Sequence, residues 1–261
     1  MNLSLKGKNA VVCGSTGGIG QASALELASL GANIVLVARN EEKLKTTLAS
    51  LPKVEGQNHQ YLIVDFSNQE ELKQTLTEWA DQNEAHILIN NTGGPPGGPI
   101  TKSSPDEFLS AFNNHLICNH IITQVLSPGM IKSGYGRIVN IISTSVKIPL
   151  KGLGVSNTIR GAVASWAKTM ANELGEHGIT VNNVLPGATG TGRLDEIINN
   201  KAKSTGADPA AVKAVMEGQV PMKRIGRPEE IAAMVAFLCT PAAAYVNGTS
   251  IPVDGGRTGS I

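Results

Sequence analysis

Two side chains in VSNTIRGAV, residues 155–163, have the functional groups expected at a binding or catalytic site. Ser156 carries a hydroxyl, and Arg160 follows four residues later in a helix-like stretch. A serine hydroxyl is much less acidic than a phenol, whose pKa is about 10, so Ser156 is better suited to holding a water than to donating a proton. Arg160 is permanently charged and suits hydroxyl groups or a carboxylate, but it cannot relay protons. The alternative for Ser156 is a passive helix N-cap.

A glycine-rich turn lies near the amino terminus, in VVCGSTGGIG (11–20). An apolar strand runs into the turn and a helical pattern follows it. Backbone without side chains can approach a diphosphate closely, and the next helix points free N–H groups and its positive dipole end at the negative charge. The spacing is GxxxGxG and not the more common GxGxxG. The turn predicts a dinucleotide site that includes Gly14, Ser15, Thr16, Gly17, Gly18, Ile19 and Gly20.

The second apolar run ends in VLVARN (35–40), which places Arg39 and Asn40 where a dinucleotide fold meets the adenosine ribose. An acidic residue there would favour a free 2′-hydroxyl. A guanidinium instead suits a 2′-phosphate through paired, charge-assisted hydrogen bonds. The sequence therefore favours NADP(H) over NAD(H), with a solvated arginine as the alternative.

Composition narrows the class of protein. The 261 residues are 41% hydrophobic and 16% charged, with 29 glycines and a net charge of +1. This balance gives no electrostatic case for nucleic acid or an anionic membrane as a partner. The three cysteines show no metal-ligand or disulfide spacing, so we expect no metal and a cytoplasmic location. The amino terminus does not resemble a signal peptide, and the apolar stretch 231–239 is too short to span a bilayer.

Apolar, β-branched runs alternate with helical patterns along the whole chain. The predicted strands are 9–14, 33–38, 60–65, 86–90, 136–142, 179–185 and 250–253. Continuous apolar strands alternating with helices indicate a parallel sheet covered on both faces. We therefore predict an α/β fold: one doubly wound, Rossmann-type domain over residues 1–261, with a seven-stranded, mainly parallel sheet. Residues 192–225 interrupt this pattern with two possible helices, at about 194–200 and 209–217, and are a candidate substrate-covering insert.

Six motifs in order resemble those of the short-chain dehydrogenase/reductase family over essentially the whole chain. They are CGSTGGIG (13–20), VDFS (64–67), NNTG (90–93), GRIVNIIS (136–143), PGATGT (186–191) and VDGG (253–256). The resemblance implies further cofactor contacts at Asp65, Phe66, Asn91, Gly93, Arg160, Pro186, Gly187, Thr189 and Thr191. It also implies a catalytic serine at Ser143.

The chemistry departs from the family pattern. Members normally use an Asn, Ser, Tyr and Lys set, and the usual spacings from Ser143 fall on Ser156 and Arg160 in place of Tyr and Lys. The spacing for the asparagine falls on His115, beside Asn114. His115 has an unperturbed pKa of about 6.5, so it is a candidate general acid acting through water. The alternative is a packed or surface histidine.

The loop GGPPGGPITKSSPDEF (93–108) is either a plain surface loop or a rigid wall of the substrate pocket. The chain is similar to a divergent branch that combines an NTGGPP-like loop with SNxxR in place of YxxxK and resembles 3-oxoacyl-carrier-protein reductases. This resemblance implies an NADP(H)-dependent oxidoreductase acting on a small carbonyl or alcohol with altered proton handling. The alternative is a catalytically impaired dinucleotide-binding module or sensor. The resemblance also implies a homotetramer or homodimer.

Overall fold

The computed structural model describes residues 1–260 and contains one seven-stranded sheet in which every pair of neighbours is parallel. The strands are β1 (Asn9–Cys13), β2 (Asn33–Ala38), β3 (Gln60–Ile63), β4 (Ile87–Asn90), β5 (Gly136–Ile141), β6 (Ile179–Pro186) and β7 (Ser250–Val253). Their order is β3-β2-β1-β4-β5-β6-β7. The predicted doubly wound fold is confirmed. The order reverses between β1 and β4, so a crevice opens there at the carboxyl ends of the strands, where such sheets bind ligands.

Helices cover both faces of the sheet. They are α1 (Gly18–Ser29), α2 (Glu41–Ser50), α3 (Gln69–Ala80), α4 (Pro105–Phe112), α5 (Cys118–Ser133), α6 (Gly154–Leu174), α7 (Gly192–Thr205), α8 (Pro209–Gly218) and α9 (Pro228–Cys239). One apolar core joins the sheet to α1, α2 and α9, and the other joins it to α3, α5 and α6. No helix within residues 1–260 is both long enough and apolar enough to cross a membrane.

The predicted helices of the 192–225 segment are present as α7 and α8. They pack on each other through a small apolar cluster that is separate from the two main cores, formed by Leu194, Ile198, Ala202 and Val212. A single bridge, Thr189 to Gly226, links the two ends of the segment. The segment is therefore attached to the sheet at its base and has its own small core.

A row of buried polar side chains crosses the carboxyl-terminal half of the sheet. Asn90, Asn140 and Asn183 occupy paired positions on β4, β5 and β6. The Nδ2 of Asn90 donates to Oδ1 of Asn140 at 2.9 Å, and Nδ2 of Asn140 donates to Oδ1 of Asn183 at 2.9 Å. Asn183 then donates to the hydroxyl of Ser250 on β7 at 3.0 Å. This amide ladder helps to fix the register of β4, β5, β6 and β7.

The amino-terminal edge of the sheet is closed by an aromatic cluster. Arg137, the second residue of β5, lies 4.2 Å from the centre of the Tyr135 ring, and Lys8 approaches the same ring at 4.2 Å. The Tyr135 hydroxyl donates to the carbonyl oxygen of Cys239 at 2.6 Å, which ties this cluster to the end of α9. The edge is thus filled by side chains that pack on the Tyr135 ring, although the buried Nε of Arg137 has no hydrogen-bond partner within residues 1–260.

Candidate active site

The glycine turn after β1 requires glycine for two physical reasons. Gly14 and Gly18 have φ values of 58° and 53°, in the left-handed region that favours glycine. A Cβ built on Gly20 would lie 2.2 Å from the carbonyl oxygen of Gly14, so no side chain fits there. The turn therefore brings bare backbone to the start of α1.

Asn91 holds this turn from the neighbouring strand. It follows β4 directly, and its Nδ2 donates to the carbonyl oxygens of Cys13 at 3.3 Å and Gly14 at 3.2 Å. Asn91 is thus beside the predicted cofactor groove, where it joins the ends of β1 and β4. Gly93, two residues later, is exposed, and a Cβ built on it meets no atom within 4 Å.

The amino terminus of α1 has the features that a diphosphate needs. Helices α2 and α3 are capped by the side chains of Asn40 and Asn68, and both have acidic residues in the first turn. Helix α1 has neither a side-chain cap nor an acidic first turn, and a Cβ built on Gly17 at its cap position meets nothing within 4 Å. Its first N–H groups are left for an anion, so these residues fit the diphosphate of a dinucleotide.

Ser15 and Asn40 are predicted cofactor contacts, but their side chains make contacts within the protein. Ser15 is fully buried, and its hydroxyl points to the carbonyl oxygen of Val37 at 3.5 Å, so this side chain supports the turn and does not face the groove. The Oδ1 of Asn40 accepts from the N–H of Lys43 at 2.9 Å and is engaged in capping α2. Thr16 and Ile19, in the same turn as Ser15, are half-buried.

Arg39 stands exposed immediately after β2 and forms no ion pair within 4 Å in the described part of the chain. Asp65 follows the end of β3, and its carboxylate accepts from the N–H of Ser67 at 2.9 Å and from the Ser67 hydroxyl at 2.8 Å. These bonds, with a smaller contribution from the charge of Arg39, lower the pKa of Asp65. Asp65 is therefore an ionised acceptor near a free guanidinium. Phe66, next to it, is half-buried, and its carbonyl oxygen accepts from the Cys118 thiol at 3.2 Å.

The segment after β6 faces the glycine turn. A Cβ built on Gly18 would lie 3.0 Å from Cγ2 of Thr191, so the two segments lie close together. Thr191 is the N-cap of α7, and its Oγ1 accepts from the N–H of Leu194 at 3.4 Å. The hydroxyl of Thr189 donates to the carbonyl oxygen of Gly187 at 3.1 Å, one residue after Pro186 ends the strand. The structure therefore brings residues 186–191 to the crevice.

Arg160 joins the carboxyl ends of two strands. Its guanidinium donates to the carbonyl oxygen of Ile141 at 3.1 Å and to that of Thr92 at 3.4 Å. Ser143 follows β5 two residues after Ile141, and its half-buried hydroxyl accepts from the N–H of Ser145 at 3.1 Å. Ser156 is the third residue of α6 and is half-buried, while the N-cap is Leu153. The N-cap alternative for Ser156 is therefore wrong.

His115 is buried and neutral. It lies in a π-helical turn, Asn113–Ile117, between α4 and α5, and only 1% of its surface is exposed. One ring nitrogen, Nδ1, contacts the hydroxyl of Thr92. Burial, and then the positive charge of Arg160, lower the pKa of His115 to about 3. The expectation that His115 titrates near neutrality is wrong, because the imidazolium form has no compensating anion here.

Sequence reasoning missed two residues at this site, Thr92 and Arg193. Arg193 is the second residue of α7, and its Nη2 donates to the carbonyl oxygen of Pro95 at 2.6 Å. The only available signal was an arginine in the first turn of a helix, where the dipole disfavours a cation. Thr92 lies within the NNTG motif, but the sequence assigns it no role, because its importance comes from contacts with His115 and Arg160.

Comparisons with known proteins agree with this geometry. A family model described as enoyl-(acyl carrier protein) reductase matches residues 14–258. The 3-oxoacyl-[acyl-carrier-protein] reductase FabG of Pseudomonas aeruginosa is 34% identical and covers 97% of this chain and 98% of its own. A tropinone reductase homologue of Arabidopsis thaliana is 32% identical over 98% of this chain and 80% of its own. The chain therefore belongs to the short-chain dehydrogenase/reductase family, as its motifs predict.

Solved structures give the same result. L-Sorbose reductase from Gluconobacter frateurii, complexed with NADPH and L-sorbose, superposes with a TM-score of 0.92 at 30% identity over 100% of both chains. YwfH, an NADPH-dependent reductase involved in bacilysin biosynthesis, has a TM-score of 0.90 at 27% identity and covers 97% of this chain and 99% of its own. These relatives are oxidoreductases, and none of their names supports the impaired-module alternative.

Proposed function

We propose that the protein is an NADP(H)-dependent oxidoreductase that interconverts a carbonyl and an alcohol on a small molecule. The observation that carries this proposal is the convergence of an uncapped glycine turn, held by Asn91, and of Ser143 and Arg160 at one edge of the sheet. A bound nicotinamide would supply or accept the hydride. The residues of this chain would bind the cofactor, orient the carbonyl and control access of water.

The preference for NADP(H) is supported by Arg39. This guanidinium is exposed at the end of β2 and has no carboxylate partner of its own within residues 1–260, so it is available to a 2′-phosphate. The two solved relatives named above support the same preference, because one is complexed with NADPH and the other depends on it. Asp65 and the neighbouring backbone would hold the adenine.

The proposed reaction uses an altered proton path. Ser143 orients the substrate oxygen with its hydroxyl, and Arg160 holds the nicotinamide ribose or an acidic group beside it. Ser156 and Arg160 stand where most family members have Tyr and Lys, so no phenol donates the proton. His115 is not charged at neutral pH, because its pKa is about 3. We therefore assign the proton to solvent, through a water held by Ser156 and Ser143.

We further propose that residues 1–261 act as one catalytic domain, that the α7–α8 segment covers the substrate, and that the protein works in the cytoplasm as a homotetramer or homodimer. Leu109 and Phe112 of α4 support assembly, because they expose 60% and 37% of their surface. Exposed apolar side chains on one helix are typical of a surface that another subunit covers. Light scattering at micromolar concentration tests this assembly, and a monomer would contradict it.

Calorimetric titration of NADPH and NADH onto the wild type and Arg39→Ala tests the cofactor assignment. Loss of a charge-assisted phosphate contact costs roughly 1.5–3 kcal/mol, so NADPH affinity should fall about tenfold or more while NADH affinity stays unchanged. Arg227→Ala, an exposed arginine at the start of α9, is the matched control. Equal affinities for the two cofactors in the wild type would refute the NADP(H) preference.

Turnover tests the reaction itself. NADPH oxidation should be measured with a panel of keto acids, their esters and simple ketones, in the wild type and in the double variant Ser156→Tyr with Arg160→Lys. We expect the double variant to gain activity on simple β-keto esters and to lose activity on the natural substrate. If none of the carbonyl compounds supports NADPH oxidation by the wild type, the oxidoreductase proposal is refuted and only cofactor binding remains.

A further inference from the structure

Two guanidinium groups hold opposite ends of one short loop at the crevice. Arg160 donates to the carbonyl oxygen of Thr92, and Arg193 donates to that of Pro95 at 2.6 Å. Between them lie Gly93 and Gly94, and a Cβ built on Gly94 would be 3.7 Å from the Arg193 guanidinium. The loop has no side chains at these two positions, so none of its own side chains covers the backbone between the two points that the cations hold.

Arg160 is a buried cation without an anionic partner. Only 7% of its surface is exposed, and within residues 1–260 no carboxylate lies within 4 Å of it. The ionisable group whose charge acts on Arg160 is the positive Arg193, and the neutral His115 supplies no anion. Burial, followed by the charge of Arg193, lowers the pKa of Arg160 to about 10, so it is still charged at neutral pH. A charge placed in this way is costly until an anion arrives.

Arg193 has only a weak partner. Its ion pair with Glu196 spans 3.2 Å, but the Glu196 side chain is 66% exposed, and such surface pairs are screened by water. The Arg193 side chain is itself 37% exposed and reaches the loop from the proposed substrate-covering segment. Together the two arginines therefore present more positive charge than the surrounding side chains neutralise.

We propose that Arg160 and Arg193 bind a carboxylate of the substrate, so that the enzyme selects short oxo acids over neutral carbonyl compounds. This inference rests on the proposed function and specifies the substrate class for that site. A carboxylate matches the donor geometry of two guanidinium groups. The bound cofactor is a less suitable source of the anion, because its diphosphate belongs at the glycine turn and the start of α1.

The position of Ser143 limits the length of the acid. Arg160 is anchored to Ile141, two residues before Ser143, so the bound carboxylate and the oriented carbonyl lie near the same strand end. A short separation is typical of 2-oxo and 3-oxo acids. The anchoring of Arg193 to Pro95 would couple arrival of the acid to the position of α7.

Paired ligands test the inference in a way that does not require turnover. Protein saturated with NADP⁺, which cannot reduce a ketone, is titrated calorimetrically with 2-oxobutanoate and acetoacetate, each against its methyl ester. We expect each acid to bind the wild type about tenfold or more tightly than its ester. Arg193→Gln should remove most of this difference, Arg193→Lys should restore part of it, and Lys203→Gln, in the last turn of the same helix, should leave it unchanged.

The outcomes separate this inference from the proposed function. Equal affinity for acids and esters in the wild type, or no binding of either, overturns the carboxylate site, even if neutral ketones are turned over with NADPH. Loss of NADP⁺ affinity in Arg193→Gln also overturns it, because Arg193 would then serve the cofactor. Tight, Arg193-dependent acid binding without any turnover supports the carboxylate site and contradicts the reductase.

Discussion

The guanidinium groups of two buried arginines lie at opposite ends of strand β5, and their surroundings show how the two edges of the sheet differ. Arg137, at the amino edge, donates to the carbonyl oxygens of Gly136 and Gly178 and stacks on the Tyr135 ring. Arg160 also donates to two carbonyl oxygens at the carboxyl edge, but its further neighbour is another cation, Arg193. The Tyr135 ring stabilises the charge of Arg137, even though Lys8 shares that ring at 4.2 Å, whereas the like charge of Arg193 destabilises the charge of Arg160.

We expect such a difference if the amino edge of the sheet only stabilises the fold and the carboxyl edge binds ligands. A structural cation is surrounded by groups that compensate it, and a functional cation is kept poorly compensated until a ligand binds. The amide ladder of Asn90, Asn140 and Asn183 lies between the two edges and allows the carboxyl edge to hold such a charge without losing strand register. Each prediction below tests one part of this division.

The largest expected effect is on catalysis at the carboxyl edge. Ser143→Ala removes the hydroxyl proposed to orient the substrate oxygen, and loss of one such donor typically lowers kcat by about 10²–10³-fold. Steady-state kinetics with NADPH and the best carbonyl substrate measures it, with the exposed Ser110→Ala as control. If Ser143→Ala keeps the kcat of the wild type, Ser143 is not at the reacting atoms.

The next effect is on stability. Asn140→Ala leaves Nδ2 of Asn90 and Oδ1 of Asn183 without partners in the core, which should lower the free energy of unfolding by about 3 kcal/mol. Urea denaturation measures this loss. Asn58→Ala, an exposed asparagine, should change the free energy by less than about 0.5 kcal/mol. An Asn140→Ala protein as stable as the wild type would show that the ladder is not needed to hold the sheet together.

These expectations show which parts of the molecule are readable from sequence. The seven strands and the glycine turn were predictable, because apolar runs and backbone approach restrict the residue types that fit. The amide ladder was not, since single asparagines in NNTG and VNNV look like polar interruptions and acquire partners only when the strands align. Arg193 and Pro95 are 98 positions apart and meet through a backbone carbonyl, for which no side-chain pattern exists.

His115 illustrates the same limit for chemistry. Its type indicates a group that titrates near neutrality, but its burial and its distance from Arg160 decide the pKa, and neither can be read from the neighbouring residues. The expectation about its protonation failed for this reason, although His115, which the motif spacing selects, does contact Thr92 and is affected by the charge of Arg160.

The pH dependence of stability follows from this histidine. Its pKa is about 3 in the folded protein and about 6.5 when unfolded, so the unfolded chain takes up the proton first as the pH falls. The contribution of His115 to the free energy of unfolding is complete above about pH 6.5 and is lost progressively toward pH 3. The free energy of unfolding changes through this group by at most about 1.4 kcal/mol per pH unit.

Urea titrations between about pH 5 and 7 test this contribution, in a range above the titration of most carboxylates. His115→Gln should make the free energy of unfolding depend less steeply on pH. His86→Gln is the comparison variant, because burial also lowers the pKa of His86. An unchanged slope in His115→Gln would contradict the assignment. A kcat profile with an inflection near pH 6.5 that His115→Gln abolishes would restore His115 as a proton donor.

The smallest expected effect is a difference in stability between variants of the two arginines. Arg137→Met and Arg160→Met each remove two hydrogen bonds to carbonyl oxygens and leave an unbranched side chain of similar length. Arg137→Met also loses the contact with the Tyr135 ring, whereas Arg160→Met removes repulsion from Arg193. Arg137→Met should therefore cost about 1–3 kcal/mol more in unfolding free energy than Arg160→Met. In kinetics the order should reverse: Arg160→Met loses most activity and Arg137→Met stays close to the wild type. If both variants lose the same stability and the same activity, the two edges are not divided in this way, and the buried charge of Arg160 is an ordinary part of the core.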